Sequence, residues 1–278
     1  MGYSTPTDSK IASIHRMLIQ GPPNSGKTHS VCQTWPRPLH IVVAPGEKGD
    51  ATIPLGIEGI VPHIWMDDPI EKMASGAIVK AVEELVWNIL GGKHGPVASF
   101  CFDGFHKYYG YVLDWISGGA LFKGEELGGG GDQWASARIY NRAREHTRYF
   151  VQRVNASPVE NAVWLCWDGK EADDPGKKGS AFHIFPNLPG AAAKEFMGEF
   201  GIVVHSRIQW GMRQPKSPAP AKWQLIPEGD VWGAAIKAPI QVIEKLPVYC
   251  DQSYVVLKKL LEDAWQSGVS VTPAVKVG

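Results

Sequence analysis

Residues 14–33 read IHRMLIQGPPNSGKTHSVCQ, and this stretch decides the fold of the chain. Its first half, residues 14–20, is an apolar run of strand length. Residues 21–28, here called the phosphate loop, then satisfy the pattern G-x-x-x-x-G-K-[ST]. A helix is expected from Gly26 to Gln33, ending before Trp35 because the residue preceding a proline avoids helical angles. A bare match could be a tight strand-to-helix turn with an accidental lysine, but the strand before it and the helix after it favour a phosphate-binding loop.

Each fixed residue of the phosphate loop has a physical role. Glycines let the backbone amides point inward at phosphate oxygens, and the helix N-terminus adds a positive dipole end. Lys27 is expected to reach the β- and γ-phosphates of ATP, and the Thr28 hydroxyl is expected to coordinate Mg²⁺. The predicted nucleotide-binding residues are Gly21, Pro22, Pro23, Asn24, Ser25, Gly26, Lys27, Thr28 and His29.

A second metal ligand is expected at the end of another buried strand. Residues 97–103 form an apolar run that ends in Asp103. In a parallel sheet, such a run delivers its last side chain to the edge where the phosphate loop lies. The competing interpretation is that Asp103 caps the helix beginning near Phe105.

Catalysis of hydrolysis also requires a group that orients or activates water. The residue after Asp103 is Gly104, so no glutamate directly follows the metal aspartate. Glu47, just past the predicted strand 39–44, is the candidate base; the alternative is a solvated turn glutamate. Asp168 and Lys170 follow the fourth predicted strand, where they are either sensor groups or ordinary loop charges.

The rest of the pattern predicts an α/β fold with a mostly parallel central sheet, flanking helices and an antiparallel extension on the C-terminal side. A glycine-rich, flexible insertion is expected near residues 117–132. We expect a core over residues 1–250, and a C-terminal helix and tail over residues 251–278. Predicted strands cover 14–20, 39–44, 97–103, 161–167, 200–205, 207–211, 223–226 and 231–237, predicted helices cover 26–33, 70–90, 105–116, 133–154 and 254–266, and a solvated loop covers 168–178.

Composition excludes several classes of protein. Lys plus Arg and Asp plus Glu are equal at 28 each, so no overall field draws the chain to nucleic acid or membrane. The four cysteines are scattered without a C-x-x-C pair, which argues against a zinc site or a disulfide framework. No stretch approaches the ~20 apolar residues that cross a bilayer. A cytoplasmic location without a membrane partner is expected.

With the phosphate loop, Glu47 and Asp103 in place, the chain resembles the phage-encoded AAA-type NTPases of the RecA-like superfamily, a group tied to phage recombination. The segment Ala-Pro-Gly-Glu at 44–47 lies where that family places its catalytic glutamate. Residues 185–190, Phe-Pro-Asn-Leu-Pro-Gly, resemble the family's Pro-x-Leu-x-Gly segment. The resemblance implies a RecA-like core and self-association as a ring or filament. It also implies host cytoplasm as the location.

Two positions depart from that family. Cys166-Trp167-Asp168 stands where a histidine or threonine sensor is frequent. The resemblance further implies a Lys-x-Arg pair that reaches a neighbouring subunit's nucleotide. Here Lys237 is kept as the catalytic candidate, and the arginine is missing. Slow or partner-dependent ATP turnover is the expectation.

Nucleic-acid contacts are expected from basic residues on one helix and one loop. Arginines of the helix at 133–154 alternate with Tyr140, Tyr149 and Phe150, a combination suited to phosphate contact and base stacking. An ordinary solvated helix face with its aromatics turned to the sheet is equally compatible. The predicted nucleic-acid residues are Arg138, Arg142, Arg148, Lys177 and Lys178.

Three functions are compatible with the sequence. The leading one is an ATPase acting on single-stranded DNA, or with a phage single-strand annealing or binding protein, in recombination or replication. The second is an ATP-dependent assembly or remodelling factor that controls protein contacts without binding DNA. The third, a small-molecule or nucleoside kinase, fits the phosphate loop but lacks a recognisable arginine-rich lid.

Overall fold

A computed structural model describes residues 16–47, 57–65, 73–127, 133–172, 182–189, 191–208, 221–226, 231–232, 235–236 and 240–268. Its strands are β1 (Arg16–Gly21), β2 (Leu39–Val43), β3 (Ile60–Ile64), β4 (Ser99–Asp103), β5 (Asn161–Ala172), β6 (Phe182–Pro186), β7 (Ile202–Ile208), β8 (Ala221–Gln224), β9 (Val231–Trp232), β10 (Ala235–Ile236) and β11 (Tyr249–Asp251). Its helices are α1 (Lys27–Thr34), α2 (Ser75–Leu90), α3 (Phe105–Ile116), α4 (Gln133–Asn155), α5 (Ala192–Met197), α6 (Ile240–Ile243) and α7 (Tyr254–Gly268).

The strands form one sheet whose main path runs β11-β8-β7-β1-β5-β4-β2-β3. All pairings from β7 to β3 are parallel, whereas β8, β10 and β11 add antiparallel pairs on the C-terminal side. The predicted α/β fold, mostly parallel with an antiparallel extension, is confirmed. Because β1 and β4 both neighbour β5, the phosphate loop and Asp103 emerge at the same edge of the sheet.

Alternation along the strands builds a core on each face of the sheet. Leu18, Phe102 and Trp164 face the layer formed by α2, α3 and α4. Their sequence neighbours, such as Ile19 and Leu165, face α1 and α7. Burial on both sides explains why these strands read as continuous apolar runs, since a parallel sheet covered by helices has no solvated face.

The C-terminal helix α7 shares its core with β1 and β2. Leu257 is fully buried in that core. The Tyr254 amide donates to the Thr34 hydroxyl over 3.0 Å, and the Tyr254 hydroxyl donates to Asn161 Oδ1 over 3.1 Å. Helix α7 is therefore joined to the helix that follows the phosphate loop. The division at residue 250 stays a prediction, and residues 269–278 lie outside the described residues.

Three predicted boundaries were wrong. Helix α2 begins at Ser75 rather than at residue 70, because Ala74 is extended with φ −63° and ψ 143°. The solvated loop predicted from Asp168 is instead a continuation of β5 to Ala172, which pairs antiparallel with β6. The separate strands predicted to begin at residues 200 and 207 are one strand, β7, as far as Ile208, and residues 209–211 lie outside the described residues.

Other differences concern elements that the pattern did not reveal. Strands β3, β6 and β11 and the short helices α5 and α6 were not predicted. Within the strand expected at 231–237, the described residues form β9 and β10, and residues 233, 234 and 237 lie outside the described part. Turns and bends occupy much of 117–127 in the expected glycine-rich insertion, whose residues 128–132 lie outside the described part. No helix in the described ranges is both long and apolar enough to span a membrane.

Candidate functional site

The phosphate loop joins β1 to α1 through backbone angles that favour its glycines. Gly26 has φ 84° and Asn24 has φ 62°, both in the left-handed region. A Cβ atom on Gly21 would lie 2.6 Å from the Ser206 carbonyl oxygen. Glycine at position 21 is therefore required by the close approach of β7, and Gly26 sets the turn from which α1 begins.

Lys27 opens α1 and folds back over its own loop. Its ammonium donates to the carbonyl oxygens of Gly21 at 2.9 Å and Pro22 at 2.8 Å. The side chain is buried, and desolvation lowers the pKa of Lys27, while the carboxylates of Asp103 and Asp168 act in the opposite direction. The ammonium therefore lies where the loop amides and the helix N-terminus converge.

Thr28, in the first turn of α1, and Asp103, at the end of β4, meet at the carboxyl edge of the sheet. The Thr28 hydroxyl donates to Asp103 Oδ2 over 2.7 Å. Burial raises the pKa of the Asp103 carboxyl, and the Thr28 hydrogen bond partly offsets that effect. Gly104 is the N-cap residue of α3 and no side chain caps that helix. The Asp103 carboxylate is therefore engaged with Thr28, and its role as a metal ligand stays a prediction.

The donor chemistry of this pair suits a magnesium ion. Mg²⁺ prefers oxygen ligands and is commonly held by one or two protein oxygens together with substrate phosphates. A hydroxyl and a carboxylate 2.7 Å apart supply such oxygens. In the described residues no group of three or more His, Cys, Asp and Glu side chains forms an all-protein metal site.

Glu47 reaches the same edge from the turn after β2. Its Oε1 lies 3.1 Å from His106 Nε2, and both side chains are largely buried. The His106 ring stacks on Trp167 with centroids 4.7 Å apart. Gly104 permits this approach, because a Cβ there would lie 2.6 Å from Glu47 Cγ. The glutamate is held between a glycine and an imidazole and is not a freely solvated turn residue.

These groups line one cavity of about 550 Å³. Within it lie the predicted Lys27, Thr28, Glu47 and Asp103, so four candidates from three separate segments converge. Gly21 and Pro22 contribute the carbonyl oxygens that accept from Lys27. The cavity is lined by Pro23, Asn24, Ser25, Gly26, Lys27, Thr28, His29, Gly46, Glu47, Asp103, Lys107 and Trp167.

Three residues of the site were missed by the sequence reasoning: His106, Lys107 and Trp167. The first two lie in the first turn of α3, directly after the predicted Asp103. Trp167 is the last residue of the predicted fourth strand and is paired in register with Gly21. A signal was present, since side chains that follow the end of a parallel strand gather at the edge carrying the phosphate loop.

A second polar pair lies on the two strands that flank β1. Asp168 Oδ2 is 3.1 Å from His205 Nε2, and both side chains are less than a tenth exposed. Asp168 is therefore not a solvated loop charge. The side chain of Lys170 lies outside the described residues.

The back of the phosphate loop is attached to the C-terminal part of the chain. The Ser25 carbonyl oxygen accepts from the Ser206 hydroxyl at 2.7 Å and from Gln252 Nε2 at 3.0 Å. Gln252 also donates to Ser206 Oγ at 2.5 Å. The loop conformation therefore depends on β7 and on the turn between β11 and α7.

The arginine helix is α4, on the outer layer of the molecule. Arg138, Arg142 and Arg148 are exposed. Arg148 Nε pairs with Glu199 Oε1 at 2.7 Å. Tyr149 is 62 % exposed, whereas Phe150 is buried in the core. The predicted Lys177, Lys178 and Lys237 lie outside the described residues.

Similarity to known proteins is found in the structure and not in the sequence. No protein family and no curated protein matches the sequence. Among solved structures, the chain is similar to a prototypical ATPase from the type III secretion system of pathogenic bacteria, with 13 % identity and a TM-score of 0.42. The likeness covers 70 % of this chain and 51 % of that structure, so the chain spans about half the length of this neighbour.

Proposed function

We propose that this protein binds ATP and hydrolyses it in a Mg²⁺-dependent reaction. One observation carries the proposal: the lysine of the phosphate loop, the Thr28–Asp103 pair and Glu47 face a single cavity. The amides of the loop and the α1 N-terminus favour bound phosphate, and Lys27 adds a positive charge. The RecA-like character implied by the sequence resemblance belongs to the same proposal.

Thr28 and Asp103 hold the metal in this proposal. Bound Mg²⁺ would neutralise charge on the β- and γ-phosphate oxygens. Glu47 orients the attacking water and accepts its proton, and His106 keeps the carboxylate at the cavity wall. The water oxygen forms a bond to the γ-phosphorus while the bond to the βγ-bridging oxygen breaks, leaving its electron pair on ADP. The products are ADP and inorganic phosphate.

Replacement of Lys27 tests the assignment. Lys27→Ala should abolish phosphate release and strongly weaken ATP binding, because the phosphate loop then lacks the ammonium that faces the β- and γ-phosphates. Lys80→Ala, which removes an exposed lysine on α2, is the matched control and should behave as wild type. Near-normal turnover in Lys27→Ala would remove the phosphate-loop assignment. Phosphate release without an added acceptor would argue against a kinase.

The biological setting that we propose is phage recombination or replication, on single-stranded DNA or with a DNA-binding partner. It is supported by the sequence resemblance and by the exposed Arg138 and Arg142 on α4. Single-stranded DNA should then stimulate ATP hydrolysis and bind with a strong salt dependence. Unchanged turnover together with no salt-sensitive binding would contradict the DNA role. A weaker affinity for single-stranded DNA in Arg142→Ala, together with wild-type affinity in Lys80→Ala, would place the DNA contact on α4.

A second candidate is an ATP-dependent assembly or remodelling factor. Ion pairs favour it, because Arg144 binds Glu195 at 2.8 Å and Arg148 binds Glu199 at 2.7 Å, which reduces the charge available to DNA. Exposed Phe122 and Trp134 add apolar surface. Self-association as a ring or filament, in host cytoplasm, is part of either candidate. Light scattering with and without ATP distinguishes them, since only nucleotide-controlled assembly predicts a change in particle mass without DNA.

A further inference from the structure

A second ammonium group lines the cavity, and it belongs to Lys107. This residue lies in the first turn of α3, and its amide donates to the Gly104 carbonyl oxygen at 2.8 Å. Side chains on a helix lean toward its N-terminus, which here is the end next to Asp103. Lys107 is partly buried and lines the same cavity as Glu47 and Asp103.

The position of Lys107 is set by an aromatic wall. Its Nζ lies 5.3 Å from the centroid of the Trp167 ring. That ring is in turn stacked on His106 and paired in register with Gly21. The Lys107 ammonium therefore lies over the face of the Trp167 ring. This cation–π contact leaves the N–H groups of the ammonium able to donate to a ligand.

The charges of the cavity leave a role for this group. Two carboxylates, Glu47 and Asp103, and two ammonium groups, Lys27 and Lys107, line the cavity, and Lys27 donates to carbonyl oxygens of its own loop. In phosphoryl transfer, charge is spread over the three equatorial oxygens of the γ-phosphate, and added cations stabilise that charge. Lys107 shares this cavity with Glu47, the proposed base that orients the attacking water.

We propose that Lys107 is a catalytic residue that contacts the γ-phosphate of the bound nucleotide and stabilises its charge during hydrolysis. This inference rests on the proposed ATPase function. The sequence resemblance implies a catalytic lysine at Lys237, whereas this inference places a catalytic cation on α3. It also gives Trp167 a function, as the surface that positions the ammonium.

The test compares Lys107→Met, Lys107→Arg and the control Lys80→Met in the full chain. ATP and ADP affinities are measured by calorimetry with Mg²⁺, and phosphate release is followed in parallel. Lys107→Met should weaken ATP binding about tenfold, leave ADP binding within about twofold of wild type, and lower kcat about a hundredfold or more, since cations at this step are worth large factors in rate. Lys107→Arg should restore most of the activity, because it keeps the positive charge.

The outcomes separate the two proposals. If wild type binds neither nucleotide, the ATPase proposal fails and this inference fails with it. If wild type binds ATP but Lys107→Met has the same ATP affinity and turnover, only the role of Lys107 is overturned. Equal losses for ATP and ADP would also overturn it, because a residue that merely supports Trp167 would affect both nucleotides alike.

Discussion

Glu47 Oε1 and His106 Nε2 lie 3.1 Å apart at the wall of the cavity, although the two residues are on different crossover segments of the sheet. The imidazole is stacked on Trp167, and the Trp167 amide donates weakly to His106 Nδ1 at 3.5 Å. Apart from this close contact, neither Glu47 Oε1 nor His106 Nε2 has a hydrogen-bond partner among the described residues. The position of the proposed base is therefore fixed by a histidine that in turn is fixed by β5.

Glu47→Gln should separate nucleotide binding from hydrolysis. The amide keeps the shape of the side chain but cannot accept a proton, so ATP affinity should stay near wild type while kcat falls about a hundredfold or more. Calorimetry and a phosphate-release assay measure the two quantities. Glu58→Gln, outside the cavity, is the control. An unaffected rate in Glu47→Gln would move the base elsewhere.

The Thr28 hydroxyl offers a matched pair of substitutions. Thr28→Val keeps the shape but removes the oxygen that faces Asp103, whereas Thr28→Ser keeps the oxygen. We expect the valine variant to need much more Mg²⁺ for half-maximal turnover, and the serine variant to need nearly the wild-type amount. A Mg²⁺ titration of phosphate release measures this. Equal Mg²⁺ requirements in the two variants would argue against metal coordination by residue 28.

Gln252→Ala tests whether the C-terminal turn supports the phosphate loop. The change removes one donor to the Ser25 carbonyl oxygen and should lower the free energy of unfolding by about 1 kcal/mol. ATP affinity should fall several-fold, since a less constrained loop must be ordered on binding. Gln152→Ala removes an exposed amide that donates to Glu199 and serves as the control. Wild-type ATP affinity in Gln252→Ala would show that the loop is held without this contact.

A cluster of three histidines, one each on β2, on β3 and in the turn after α2, should make stability depend on pH. His40 Nδ1 lies 3.1 Å from His63 Nε2, and the His94 ring packs against His63 with centroids 4.9 Å apart. Burial, followed by the neighbouring His40 and His94, lowers the pKa of His63 to about 4. Because the unfolded chain binds the proton more readily, stability present above about pH 6.5 is lost as the pH falls toward 4.

His63→Gln should flatten that pH profile. The loss in wild type is on the order of 1 kcal/mol, since His63 is only half-buried and is screened by solvent. Urea unfolding at several values between pH 7 and pH 4 measures the effect. His29→Gln, at an exposed position, should leave the profile unchanged. Identical profiles for wild type and His63→Gln would show that the cluster does not contribute.

The sequence predicted the parts of the fold whose residues carry their own signal. The strand, loop and helix around Lys27 follow from an apolar run and a glycine pattern, and Asp103 follows from an apolar run that ends in a carboxylate. The extension of β5 did not follow, because residues 168–172 are polar and become a strand only through pairing with β6. Strand propensity and the hydrophobic pattern do not show which strands will pair, and such tertiary pairing overrides local preference.

The missed site residues have the same explanation. His106 contacts Glu47 across 59 positions of sequence, and its distance from Glu47 depends on how β2, β4 and β5 lie side by side. In the sequence, Lys107 is a polar residue on an aromatic helix. Its contact with Trp167 depends on the register between β4 and β5, in which Asp103 is paired with Leu165.

The contacts of Gln252 with Ser25 and of Tyr254 with Thr34 have a consequence for biosynthesis. During translation the phosphate loop and α1 leave the ribosome early, whereas the residues that hydrogen-bond to them emerge more than two hundred positions later. Until residues 249–268 have left the ribosome, these hydrogen bonds cannot form. The apolar residues Val31, in α1, and Trp35, which follows that helix, are then not covered by α7. Competence for the proposed nucleotide binding would therefore be acquired near the end of synthesis.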